Sequence, residues 1–301
     1  MIRNRNIAND AEIDPAKVRG WMTTGKVFYV ALSTWGFYKD FVASKPKGTV
    51  FSSLSTALAA CTASRGDMVL VLPNYTETIT SGLTMSKIGV TLIGLGGRGQ
   101  KPVITPNLSG DCITMSGAGC TVENIHFAAP LTDNQSSDIN VTAAKCTIRD
   151  TFHLGSVATE NKTDIITVAS GGDDLLVEGV RAFNTVVDCV SWLSLEAAVA
   201  RCTIRNCTVQ GTFSTGVLMD EATATLCTIR DNIFKNTKSA TAVVTFTTGN
   251  STGVFSFNHI SGRHTTLASN VVTGTGMDFF ENRVVEEAAL NGAIIPVADT
   301  D

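Results

Sequence analysis

Cys120-Thr121-Val122-Glu123-Asn124 returns as Cys146-Thr147-Ile148-Arg149-Asp150, as Cys202-Thr203-Ile204-Arg205-Asn206 and as Cys227-Thr228-Ile229-Arg230-Asp231. A weaker copy, Leu175-Leu176-Val177-Glu178-Gly179, lies between the second and third. Successive copies are 26, 29, 27 and 25 residues apart. Val90-Thr91-Leu92-Ile93-Gly94 fits the same slot upstream, and Asn232, Asn258 and Asn282 carry the period downstream. A second column of short β-like runs opens at Asp111, Asp138, Asp164, Asp188, Thr215, Thr241 and Thr265, in steps of 24 to 27. Two columns sharing one period specify a repeat architecture.

The runs are too short, and too rich in Thr, Val and Ile, for helical repeats. The Leu framework of leucine-rich repeats is absent. The pattern predicts an all-β fold, a right-handed parallel β-helix of about eight coils over residues 68–285. Cys120, Cys146, Cys202 and Cys227 take an inward position with the Val/Ile two residues on, and the Glu/Arg residues take an outward one. Gly, Asn, Asp and Ser between runs supply the corners. Ser52 or Ser53 caps a short helix with Leu54, Leu58 and Cys61 on one face, which closes the open end. The division is an extended, aromatic-rich N-terminal arm over 1–45, the capping helix and solenoid over 46–285, and a tail over 286–301.

The chain has 301 residues, 23 basic against 27 acidic, a net charge of −4, and 44% hydrophobic residues. That balance argues against nucleic-acid binding, which needs a basic face. No run is long and apolar enough for a membrane span. The first twenty residues lack the apolar core of a signal peptide, so the eight cysteines read as reduced thiols. They contain no Cys-x-x-Cys pair, so no zinc site is expected.

Gly66-Asp67-Met68-Val69-Leu70-Val71-Leu72-Pro73-Asn74-Tyr75-Thr76-Glu77-Thr78-Ile79 and the segment from Gly89 to Ile104 resemble the first coils of pectate-lyase-like β-helix proteins. The wording Pro-x-x-x-Glu-Thr-Ile is similar to solenoids among the virion structural proteins of tailed bacteriophages. Where many of those have Gly after the Pro, this chain has Asn74, which also tolerates a left-handed turn. Residues Asn9 to Val18 resemble the start of phage fibre and appendage proteins. The resemblance implies a non-enzymatic virion component, a capsid decoration or cement protein or a short head fibre. It would dock on the major capsid protein or another virion protein, and a homotrimer is favoured. Partner contacts are assigned to Ile7, Ile13, Val18, Trp21, Phe28, Tyr29, Trp35, Phe37 and Tyr38, because aromatics concentrate in interface anchors. The competing reading of the aromatics is packing beneath the cap.

Two alternatives stay open, a tailspike-like depolymerase or lyase and a non-catalytic carbohydrate-binding solenoid, so a surface glycan is a further candidate partner. The galacturonan hydrolases related to this fold carry Gly-His-Gly and Arg-x-Lys motifs, and neither occurs here. Asp173-Asp174 follows Gly171-Gly172 and reads as a turn. No catalytic residue, metal ligand or cofactor is assigned. Stacked carboxylates at Asp111, Asp138, Asp164 and Asp188 would repel unless Asx-type turns or a hard cation compensate; the turns are favoured because threonines continue the column.

Overall fold

The computed structural model describes residues 25–295 except 98, 133, 157–160, 247–250, 265–266, 274–275 and 287–290. The chain winds as a right-handed parallel β-solenoid of about eight turns. Three short strands per turn build three sheets, of 11, 10 and 8 strands among the described residues. The first sheet stacks Met68–Val71, Thr91–Gly94, Thr121–Glu123, Thr147–Arg149, Leu176–Glu178, Thr203–Arg205 and Cys227–Arg230 in that order. Val122, Ile148, Val177 and Ile204 are register partners and face inward, fully or almost fully buried. All eight cysteines are free and buried. Glu123, Arg149, Glu178, Arg205 and Arg230 also stack in register and face outward. Arg149 and Arg205 both pair with Glu178, at 3.1 and 2.8 Å.

From the Thr121–Glu123 coil onward, the chain passes from the first sheet to the second through one left-handed residue per coil. That column is Asn124, Asp150, Gly179, Asn206, Asp231, Phe257 and Glu281, with φ from 51° to 66°. Asn, Asp and Gly are the residues that reach this conformation at least cost. The next position inward holds an asparagine ladder. Asn232 accepts from the Cys207 amide at 2.9 Å, Asn258 accepts from the Asn232 amide at 3.1 Å, and Asn282 accepts from the Asn258 amide at 3.0 Å. Each side-chain amide also donates to a backbone carbonyl of the preceding coil, so these buried groups satisfy one another along the axis.

The solenoid starts earlier than the sequence reading placed it. Val27–Val30 pairs in parallel with Met68–Val71, inside the stretch assigned to the arm. Its VFYV sequence is apolar at every position because both faces are covered. The helix Leu54–Ala60 then closes the end. The Ser53 side chain accepts from the Thr56 amide, and Leu54, Ala57 and Leu58 are buried. At the other end, Asn291–Ile295 falls in the stretch assigned to the tail and adds antiparallel to Asn282–Glu286.

The column of aspartates is not a stack of carboxylates. Asp164 is the register partner of Ser191, and Ser137 donates to Asp111 at 2.8 Å. The column therefore alternates Asp111, Ser137, Asp164 and Ser191, and each serine hydroxyl donates to a carboxylate, that of Ser191 at 2.6 Å. Asp138 stands one residue further along, and one residue reverses the face of a strand. It points into the core. The side chain of Asp188 and all of Thr265 lie outside the described residues.

Asp138, His153 and Lys162 form a unit with no exposed side-chain surface. Lys162 Nζ donates to Asp138 Oδ1 at 2.6 Å and to the Leu154 carbonyl at 2.9 Å. His153 Nδ1 is 2.9 Å from Asp138 Oδ2, and its Nε2 is 2.9 Å from Thr151 Oγ1. Burial lowers the His153 pKa more than Asp138 raises it, so the ring is neutral, donating to the carboxylate and accepting from Thr151. Burial would raise the Asp138 carboxyl, but the Lys162 ammonium and then His153 outweigh it and hold it below the usual range.

Both shifts carry the same sign. Each group binds its proton less readily folded than unfolded, so the stability it contributes is lost as pH falls. The loss begins below 6.5 for His153 and below 3.8 for Asp138, their unshifted values. Replacing Lys162 by Met strands a buried carboxylate and is expected to cost about 3–5 kcal/mol, against about 0–1 for removing the half-exposed Arg149. Urea unfolding of both variants at pH 7 checks this.

Candidate functional site

A groove of about 760 Å³ runs along the edge between the first and second sheets. Its floor is the left-handed corner column: Asn124, Asp150, Gly179 and Asn206. Gly179 takes this corner without a side chain. Its φ is +66°, and an added Cβ would lie 2.4 Å from Asp150 Oδ1. One end is bounded by Gly96, Gly97 and Lys101, whose ammonium donates to the Asp150 carbonyl. Asn124 ties that end down by donating to the carbonyls of Gly94 and Gly96, at 2.6 and 3.1 Å.

The wall is the outer face of the second sheet. His126, Phe152, Arg181 and Thr208 occupy one register in four successive coils. Phe183 lies two residues beyond Arg181 on the same face and is 38% exposed. The His126 and Phe152 rings meet edge to face at 4.7 Å, and Phe152 and Phe183 are 5.8 Å apart. Burial, followed by His153 and Lys101, lowers the His126 pKa, so this imidazole stays neutral. Asp150 is the one carboxylate among the described lining residues. The wall thus offers two phenylalanine faces, an arginine and a row of amides and hydroxyls. That is equipment for holding a ring-bearing polar chain.

A second concentration of titratable groups lies on the third sheet. Burial pushes the Asp164 carboxyl up to about 7, against the Ser191 hydrogen bond and with help from Glu196 and Glu221. The Glu196 carboxyl is raised by burial, by Glu221 and by Asp111. Ser194 is fully buried, and its hydroxyl has no partner among the described residues. Asp164 thus holds a proton near neutrality. Among the described residues no three His, Cys, Asp or Glu side chains are placed to hold a metal ion.

The residues assigned to partner contact separate into three groups. Ile7, Ile13, Val18 and Trp21 lie outside the described residues. Phe28 and Tyr29 are buried in the first coil, so their rings serve packing within the chain. Trp35 and Tyr38 are half-buried and Phe37 is 57% exposed. Asp173-Asp174 is a turn, with Asp174 at φ 58° and bonded twice to Arg201. Sequence reading missed the groove, because its residues come one or two at a time from separate coils. The outward slots of the second sheet, two residues after each left-handed corner, were the available signal.

The raised Asp164 carboxyl binds its proton more tightly folded than unfolded. Its stabilising contribution is present at low pH and lost as pH rises from 3.8 through about 7. Asp164→Asn is therefore expected to match the parent near pH 4 and to melt higher at pH 8. Thermal unfolding at both pH values reads the difference.

No family model and no curated protein matches the chain. Solved structures do resemble it. One is an alginate lyase, with 13% identity and a TM-score of 0.44, over 85% of this chain and 40% of the lyase. Another is a pectin methylesterase crystallised with a hexasaccharide, with 11% identity and a TM-score of 0.45, over 88% of this chain and 84% of the enzyme. A pectate lyase matches with 15% identity and a TM-score of 0.35, over 86% and 80%. The chain spans less than half the length of the alginate lyase. The parallel β-helix of this chain rests on its own strand pairing.

Proposed function

We propose that this chain is a non-enzymatic structural protein of a tailed-bacteriophage particle, a capsid decoration or cement protein or a short head fibre. It would attach by its N-terminal end to the major capsid protein or another virion protein, as a trimer. The observation that carries this reading is the surface excursion between the first two strands. The helix Tyr38–Ser44 has no buried residue, yet it carries Phe41 and Val42 and is preceded by Phe37. Val42 is 39% exposed, and the Trp35 and Phe37 rings lie tilted against each other at 5.1 Å. Lys45 lies over the Tyr29 and Phe41 rings at 5.2 and 5.4 Å, which anchors the excursion to the first coil. Phe41 packs on the first coil, and the neighbouring Phe37 and Val42 are left exposed, which suits a contact with another protein. The resemblance of residues 9–18 and 73–79 to phage proteins points the same way. A rod stabilised by nearest-neighbour stacking suits a bracing or projecting role.

The test is incorporation into particles. Phe37→Ser with Val42→Ser should leave the solenoid folded by circular dichroism and remove the protein from purified particles by cryo-EM and immunoblot. A folded double variant that still incorporates at the parent level would overturn attachment through this helix. Absence of the parent protein from particles would overturn the virion reading itself.

A further inference from the structure

We infer that the groove between the first and second sheets binds an anionic saccharide, with sugar rings against Phe152 and Phe183 and the acidic group on Arg181, beside Lys101. Four observations converge on this.

Arg181 is unlike the arginines around it. Arg149, Arg201, Arg205 and Arg230 each pair with a carboxylate, at 2.6 to 3.1 Å. No carboxylate among the described residues pairs with Arg181, although Asp150 lines the same groove. An exposed guanidinium fixed on a strand presents a planar fork suited to a carboxylate, sulfate or phosphate group.

Its neighbours are aromatic. Phe152 is its register partner and Phe183 is two residues along the same strand face. Exposed rings beside a hydrogen-bonding row are the combination that takes the apolar face of a sugar ring and its hydroxyls together. The row is Asn124, Asn206 and Thr208.

The site is long and narrow. Its lining comes from five successive coils, from Gly96 to Thr208. At about 4.8 Å per coil, that is roughly 19 Å along the axis. An extended chain of several rings fits this better than a single small molecule.

The charge is sparse. The charged residues among the described lining are Lys101, Arg181 and Asp150, and His126 is neutral. A nucleic acid would bring a phosphate at every step and reward many cations. A saccharide with one acidic group every ring or two matches two cations spaced along a groove. This inference does not depend on the particle assignment.

Isothermal titration of the full chain at low and moderate salt tests it. Three hexasaccharide probes separate the sources of charge: hyaluronan carries carboxylates, chondroitin sulfate adds sulfates, and chitohexaose is neutral. At least one anionic probe should bind, more weakly as salt rises, and chitohexaose should bind at least tenfold more weakly. Arg181→Gln should weaken the anionic probe at least tenfold and leave chitohexaose unchanged. Phe152→Ala with Phe183→Ala should weaken all binding, with the fold intact by circular dichroism. Equal affinity for chitohexaose, an Arg181→Gln variant that binds like the parent, or no binding of any probe would overturn the assignment. Binding of the sulfated probe alone, lost in Arg181→Gln, would support it and name sulfate as the group recognised.

Discussion

In-register stacking of one coil on the next is the constraint that governs this molecule. Parallel strands about 4.8 Å apart set each side chain beside its counterpart in the coils above and below. An apolar column is then self-consistent, as Val122, Ile148, Val177 and Ile204 are. A polar column must supply donors and acceptors to itself. The structure does this with asparagines that donate and accept along the axis, with serines between aspartates, and with arginines flanking a glutamate. The corner obeys the same rule, since one left-handed residue per coil must recur at one place or the sheets drift out of alignment.

This constraint explains which parts were readable in the sequence. The Cys-Thr-Ile-Arg column was legible because inward and outward positions alternate within a single short strand. Asn74, expected to tolerate a left-handed turn, has φ 58°. The capping helix was legible through Ser53 and the spacing of Leu54 and Leu58. The aspartate column misled because aligning residues by identity ignores a shift of one position between coils. Asp138 is a neighbour of Cys112 in register, not of Asp111. Val27–Val30 was hidden for a different reason. It is separated from its partner strand by a surface excursion and a helix, so it carries no copy of the period.

The groove and the buried charged unit were less legible than the fold. The groove draws on residues as distant as Gly96 and Thr208, and no local motif joins them. The Asp138–His153–Lys162 unit spans 24 residues and is held by the coils, so no spacing rule announces it. Its partners reveal the chemistry only after folding sets them within 3 Å of one another. The exposed aromatics were divided by burial in a way that composition cannot show. Tyr29 belongs to the first coil and Phe37 to the surface, eight positions apart.

A parallel solenoid is a template, since the last coil offers the next one the same edge that it received. Asn291–Ile295 runs the other way along Asn282–Glu286. Antiparallel pairs space their hydrogen bonds in alternate narrow and wide steps, whereas parallel pairs space them evenly. The second sheet therefore presents a reversed edge, one that an incoming coil of the same hand would not match. Copying of the second sheet meets a change of direction there. Among the described residues the first and third sheets end on the parallel strands Met277–Phe280 and Val271–Thr273, so the reversed strand guards one edge of the three against end-to-end pairing.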